Sequence, residues 1–281
     1  MPLKHIIGVD HVVVAVRDLD TAAATWTNLG FTVSPRGTHS PHIGSANHTI
    51  VFSDDYIELL SVLHATVHSQ PTVDFLSKRE GIERVAFTTD DAAAGVDELK
   101  GRGIIADGPV GFGRPVELPG GGTGEARFNI FRWPRTEVPD GPRIFACQHL
   151  TPETVWIPEL RRHPNGASRL VRVEVLSGTP ALAASRLSRL IEQPVTETPD
   201  GYCVASGGTR AKFLFLDATA FSQRYPEAVR AGAAGDGVVA IAIATSDLAT
   251  ARKATDGISH EQAVLVPAAR ANGVVLSFVP Q

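Results

Sequence analysis

Four times along the chain a short run of β-branched and apolar residues gives way to an alanine-rich stretch whose apolar positions recur every three or four residues. The segments read VDHVVVAVRDLDTAAATWTNLGF from Val9, ERVAFTTDDAAAGVDELKGRG from Glu83, VRVEVLSGTPALAASRLSRLI from Val171 and GVVAIAIATSDLATARKAT from Gly237. Each predicts a strand followed by an amphipathic helix. Recurrence of one unit fixes the architecture before any single motif is weighed.

In the first copy, residues 9–16 read as a strand and Asp18 is placed to cap a helix with apolar positions Leu19, Ala22, Ala23, Trp26 and Leu29. Gly30 ends that helix. A second strand begins at 31–33, residues 38–45 form a polar loop, and strands follow at 47–52 and 56–62, joined by a turn at Asp54 and Asp55. The second copy predicts a strand at 84–88, a helix over 91–102, strands near Ile104 and Val116, and strands at 126–133 and 143–150. The third copy spans 170–216 and the fourth 238–279. The expected fold class is α+β: four βαβββ modules paired into two curved mixed sheets with open clefts, which suit small ligands. Residues 1–150 would form one domain, the Pro-rich and polar stretch 151–168 a linker, and 169–281 a second, degenerate domain.

A chain of 281 residues is long enough for two such cores. Net charge is −4 with no run of like charges, which argues against nucleic acid or an anionic membrane as partner. The longest clean apolar stretch outside the N-terminal region, 238–244, is far short of the roughly 20 residues that span a bilayer. Asp10 and His11 interrupt the apolar opening, so no signal peptide is expected. Cys147 and Cys203 lie in different halves without CxxC companions, which points to reduced thiols in a cytoplasmic protein. Abundant Ala, Gly and Arg suggest a bacterial source.

The segments DHVVVAVRDLDTAAATWTNLGF, IGSANHTIVF, DYIELLSV, IERVAFTTDD and ANGVVLSFVP together resemble the vicinal oxygen chelate superfamily, which includes glyoxalase I, extradiol dioxygenases and bleomycin-binding proteins. QHLTPETVWIPELRRHPNGAS is similar to a glyoxalase-like group within it. The resemblance implies a His at the start of a module's first strand and a Glu in its last strand as metal ligands, here His11 and Glu58. It makes these two the expected catalytic residues and implies a divalent Zn, Mn, Fe, Ni or Co ion. In the partner module Arg84 stands at the His position, and a guanidinium does not ligate a cation. The Glu position falls near Ala146 or Gln148, so Gln148 is the candidate third ligand, with His149 available if a bulge turns it inward. Arg172, Ala240 and Ser277 take the corresponding places in the C-terminal half, which is expected to lack a metal.

Arg84, Asn47, Asn129, Trp133 and His149 are the candidate substrate-binding residues. Arg84 would favour an anionic substrate, or pair with Glu58 in the metal's place. His39, His42 and His48 surround a loop that either reaches the cleft or is simply solvated, and His48 should face away from Asn47. Arg127, Asn129, Phe131 and Trp133 alternate on one face that either lines the pocket or packs under a helix. PVGFGRP and PGGGTGE read as hairpin loops rather than phosphate loops. The leading expectation is a lyase or isomerase acting through a metal on a small oxygenated or aromatic metabolite. A metal-free binding protein is the alternative, and a dioxygenase a third reading. A homodimer is compatible with the sequence.

Overall fold

The computed structural model describes residues 2–118, 121–139 and 141–281. Every repeat folds as a βαβββ module. The first comprises β1 (Gly8–Ala15), α1 (Leu19–Asn28), β2 (Gly37–Thr38), β3 (Ser45–Val51) and β4 (Tyr56–Val62), and a short helix α2 (Gln70–Leu76) leads out of it. The second comprises β5 (Gly81–Thr88), α3 (Ala92–Gly101), β6 (Asp107–Glu117), β7 (Thr123–Arg132) and β8 (Arg143–His149). The third comprises β9 (Ala167–Leu176), α4 (Pro180–Ile191), β10 (Val195–Thr198), β11 (Gly201–Val204) and β12 (Lys212–Leu216). Helices α5 (Ala218–Arg224) and α6 (Glu227–Arg230) then lead to β13 (Gly237–Thr245), α7 (Leu248–Thr255), β14 (Ile258–His260), β15 (Ala263–Val266) and β16 (Val275–Pro280).

Local chemistry sets the boundaries. Asp18 accepts from the Thr21 amide and Asp91 from those of Ala93 and Ala94, so both helices start on a carboxylate that satisfies free amides and favours the positive end of the dipole. Gly30 follows α1 with φ +77°, a conformation that costs glycine little. Residues 31–33 continue as an irregular segment rather than a strand, and the two short strands expected near Ile104 and Val116 are one long strand, β6. PVGFGRP lies within β6 rather than in a loop, and Pro119 and Gly120 of the second glycine-rich stretch are outside the described residues.

Modules one and two share an eight-stranded sheet in the order β2-β3-β4-β1-β5-β8-β7-β6, and modules three and four share another in the order β10-β11-β12-β9-β13-β16-β15-β14. Within each sheet the two first strands pair antiparallel at the centre and each pairs parallel with its own module's last strand. One face of both sheets contributes to a single apolar core holding Val12, Trp26, Phe31, Phe87, Phe213 and Phe278. Phe31 stacks on Phe278 at 5.9 Å and Phe87 lies 5.8 Å from Phe213, so the sheets pack with these faces toward each other. Within segment 151–166, His163 is buried against Phe31 and Phe52 of this core, while Val155 packs with Tyr56, Ala126 and Phe128 on the other face of the first sheet. Among the described residues no helix is long and apolar enough to cross a membrane.

Candidate functional site

The other face of the first sheet is concave, and its chemistry begins with an irregularity in pairing. Register between β1 and β5 shifts between Val9 and His11, leaving Asp10 as an extra, bulged residue. A bulge breaks strict alternation, so two sequence neighbours direct their side chains to one place. Asp10 Oδ1 lies 2.6 Å from His11 Nδ1, and both residues are buried. Asp10 also accepts from Thr88 Oγ1 at 2.8 Å and meets His149 Nε2 at 3.0 Å. Burial pushes the Asp10 carboxyl up, but the charges and hydrogen bonds of His149 and His11 outweigh it and hold the carboxyl far below the usual range. An imidazole whose Nδ1–H donates to this carboxylate presents Nε2 to the cleft.

Nε2 of His11 stands 3.7 Å from Glu58 Oε2, while Glu58 Oε1 accepts from the Asn47 amide at 2.6 Å. The pairing of β1 with β4 sets Val13 beside Glu58 and His11 beside Tyr56, so both functional groups share a face. Tyr56 stacks on the His11 ring at 4.2 Å and limits its rotation. Burial alone raises the Glu58 carboxyl; His11, then His39, the Asn47 hydrogen bond and Arg84 reverse the effect and keep it below its ordinary value. Arg114, 8% exposed, reaches the same end of the cleft from β6. Among the described residues no acceptor or carboxylate pairs with its guanidinium.

The opposite wall comes from the second module, where β5 carries a matching bulge at Glu83. Glu83 Oε2 pairs with its neighbour Arg84 at 2.7 Å and Oε1 with Arg143. Arg84 also donates to Thr72 Oγ1 of α2 at 3.1 Å. In register terms Arg84 corresponds to His11, Arg143 to Tyr56 and Phe145 to Glu58. Between the walls lies a cavity of about 200 Å³ lined by Phe112, Phe128, Ile130, Phe145, Cys147 and Val155 among others. It suits a small molecule with an apolar or ring-bearing body.

His11, Glu58, Asn47, Arg84 and Trp133 thus line one cavity. Gln148 does not: its side chain takes the Ala92 and Asn129 amides at 3.2 and 3.3 Å and donates to the Asp90 carbonyl, on the α3 side of the sheet. The residue expected as third ligand is therefore turned away, and Asn129 with it. The lining face of β7 is Phe128, Ile130 and Arg132, while Phe131 packs under α3, where a Cβ on Gly95 would meet its ring at 2.8 Å. His149 is held by Asp10 and packs against Trp156 at 4.6 Å, so it supports His11 from behind. His39 and His42 reach the cavity, whereas His48 bonds the Ser34 carbonyl. Arg84 pairs with Glu83, not with Glu58. Asp10, Arg114, Arg132 and Arg143 were not anticipated; an acid directly before His11 is the one signal in the sequence that points to any of them.

A family model described as glyoxalase-like domain matches residues 9–191. The chain belongs to the glyoxalase-like domain family. No curated protein matches it in sequence. In fold, this glyoxalase-like protein is similar to a hypothetical protein from Staphylococcus aureus, at 13% identity and TM-score 0.71 over 97% of this chain and 99% of that one. It is also similar to a mutant 4-hydroxymandelate synthase from Streptomyces coelicolor, at 15% identity and TM-score 0.58 over 99% of this chain and 92% of the other. A Mn(II)-bound glyoxalase from Novosphingobium aromaticivorans matches at 10% identity and TM-score 0.58, covering 98% and 82% of the two chains.

That manganese-bound neighbour makes the donor set of this cleft worth testing. His11 Nε2 and Glu58 Oε2 supply two donors on one wall. The corresponding places on the other wall hold Arg84, a fixed cation, and Phe145, which has no lone pair to give. Among the described residues no three His, Cys, Asp or Glu side chains gather as a metal shell. The side chains present do not fit a four-ligand divalent centre.

Proposed function

We propose that this glyoxalase-like protein is a lyase or isomerase that moves a proton on a small oxygenated, ring-bearing metabolite, with Arg84 serving in place of a metal. The observation that carries this reading is the buried Asp10–His11 pair at 2.6 Å, with Nε2 directed at Glu58 across an apolar cleft. At Nε2, His11 takes a proton from the carbon beside a substrate carbonyl, and Asp10 stabilises the imidazolium that forms. The electron pair left on carbon moves to the carbonyl oxygen, and the resulting enolate accepts hydrogen bonds from Arg84. Return of the proton to a different carbon or face completes an isomerisation, and departure of a neighbouring group completes a lyase reaction. Glu58, ionised and fixed by Asn47, orients the imidazole from its other side.

The test is solvent exchange. A panel of α-keto, α-hydroxy and arylacetic acids is incubated with protein in D₂O and followed by proton NMR, with and without a strong chelator. Deuterium entering at the carbon beside the carbonyl, insensitive to chelator and lost in His11→Ala, is expected. Exchange abolished by chelator and restored by a divalent cation would falsify the metal-independent assignment. Ligand binding without any exchange would favour a second reading, sequestration, which the unpaired and buried Arg114 supports as an anchor for an anionic ligand.

A further inference from the structure

Arg84, Arg143 and Arg132 stand on the adjacent strands β5, β8 and β7 and line one end of the cavity. Arg84 lies directly beside Arg143 in the parallel pairing, and Arg132 sits opposite Phe145, diagonal to Arg143. One carboxylate, Glu83, is shared by Arg84 and Arg143. Arg132 has no hydrogen-bond or ion-pair partner among the described residues, although it is only partly exposed. Asp107, across from it on β6, attracts it without forming an ion pair. With Arg135, which also lines the cavity and acts on Arg143, four guanidinium groups face the carboxylates of Glu83 and Asp107, a local excess of two positive charges in a chain whose net charge is −4.

Like charges held together in a half-buried wall repel, and the arrangement persists at a cost unless an anion occupies it. Burial and then the charge of Arg84 hold both Arg132 and Arg143 below the usual guanidinium range, with Arg143 adding to the effect on Arg132 and Arg135 to that on Arg143, in keeping with that repulsion. A monocarboxylate would match half of the excess. A tetrahedral dianion matches all of it and offers enough oxygens for forked contacts from more than one arginine.

We infer that the Arg84, Arg132 and Arg143 end of the cleft is a subsite for a doubly charged oxyanion, and that the ligand is a phosphate monoester with a small apolar or aromatic body. This inference rests on the proposed use of the cleft and names the class of substrate within it. The phosphoryl group seats on the arginines and the body lies over Phe128, Ile130 and Phe145 toward His11.

The experiment is calorimetric titration of the full chain with phenyl phosphate, benzoate and inorganic phosphate, for wild type, Arg132→Ala, Arg132→Lys and Lys212→Ala, the last lying in a basic groove of the other sheet. Phenyl phosphate is expected to bind wild type about tenfold more tightly than benzoate, the equivalent of about 1.4 kcal/mol. Arg132→Ala should erase that preference, Arg132→Lys should retain part of it, and Lys212→Ala should leave it unchanged. Inorganic phosphate alone should bind more weakly than phenyl phosphate; equal affinity would mean that the site reads free phosphate and overturn the ester assignment. Equal affinities for benzoate and phenyl phosphate, no binding of either, or a preference indifferent to both Arg132 variants would overturn the subsite. Should Arg132→Ala not fold, Arg132→Lys decides. Proton exchange on a carboxylate substrate, surviving such a result, would show that the cleft acts as proposed while the dianion assignment fails.

Discussion

In the first sheet the central bulges place Asp10 beside His11 and Glu83 beside Arg84; in the second sheet the matching bulges hold Val239 beside Ala240 and Val171 beside Arg172. Ser277, paired with Ala242, occupies the place of Glu58. The connections differ as well. Between modules one and two, Ser69 and Thr72 sit at the rim of the cleft and leave it open. Between modules three and four, Phe221, Tyr225 and Val229 of segment 218–230 pack onto Ala240, Leu214 and Val275, which covers much of the concave face. Glu174, the remaining acid there, is neutralised by Arg172 at 2.7 Å and Arg224 at 3.3 Å. One backbone device thus serves two ends: with ionisable residues and an open roof it makes a site, and with apolar residues and a plug it makes core.

The largest effect should come from removing the plug. Tyr225 is fully buried, whereas Phe112 lines the open cleft and is half-buried. Tyr225→Ala should lower unfolding free energy by about 3 to 5 kcal/mol, as truncation of a packed aromatic does, and Phe112→Ala by about 1 kcal/mol. Urea denaturation monitored by circular dichroism gives both numbers. Similar losses for the two variants would mean that the second concave face is no better filled than the first.

A second prediction concerns the seam between the two sheets, where Asp55 accepts from the Leu170 amide at 3.0 Å. Burial pushes its carboxyl up to about 7, against the opposing pull of the Leu170 hydrogen bond and Arg210. From about pH 4 to 7 the folded chain holds a proton here that the unfolded chain, with its carboxyl near 3.8, has released. Asp55 therefore costs stability progressively as pH rises through this window, and the loss levels off above about 7. Asp10 has the opposite shift; its contribution is complete above the ordinary carboxylate range and is lost only in stronger acid. Asp55→Asn should match wild type near pH 4 and exceed it by about 2 to 4 kcal/mol at pH 8. A difference between the two that does not vary with pH would show that Asp55 is not buried at the seam as described.

Much of this architecture could be read from the chain. The repeat, the capping aspartates and the strand 56–62 are encoded locally, so periodicity finds them. The match of Arg84 to His11 followed from aligning repeats, and the pairing of β1 with β5 agrees with it. What escaped was decided by pairing. Asp10 reads as facing away from His11 until the bulge is known. On β8 the place matching Glu58 is Phe145, one residue before Ala146 and three before Gln148, so Phe145 stands in the cleft and Gln148 outside it. On β7 apolar residues occur at both parities, Phe128 and Ile130 as well as Phe131, so alternation gave no means of choosing the lining face. The cover over the second cleft depends on a contact between segment 218–230 and strands on either side of it, which no local pattern encodes.

The smallest effect leaves stability untouched and compares the two thiols. Cys147 lies on β8 beneath the first cleft and is 2% exposed; burial, and then the charges of Asp10 and Glu58, push its thiol well above the usual range. Cys203 on β11 is half-buried in the groove of the second sheet that Arg172, Arg210 and Lys212 also line. Only the thiolate attacks an alkylating reagent, and attack also needs access. Cys147 lacks both, whereas Cys203 has a partly open surface. Native protein treated with iodoacetamide and analysed by peptide mass spectrometry should therefore carry the label at Cys203, with Cys147 labelled only after denaturation. Equal labelling of both in the folded state would mean that the floor of the first cleft opens to reagent as readily as the surface of the second sheet. The tight packing of β8 around Asp10 would then have to be abandoned, and with it the fixed carboxylate on which the orientation of His11 rests.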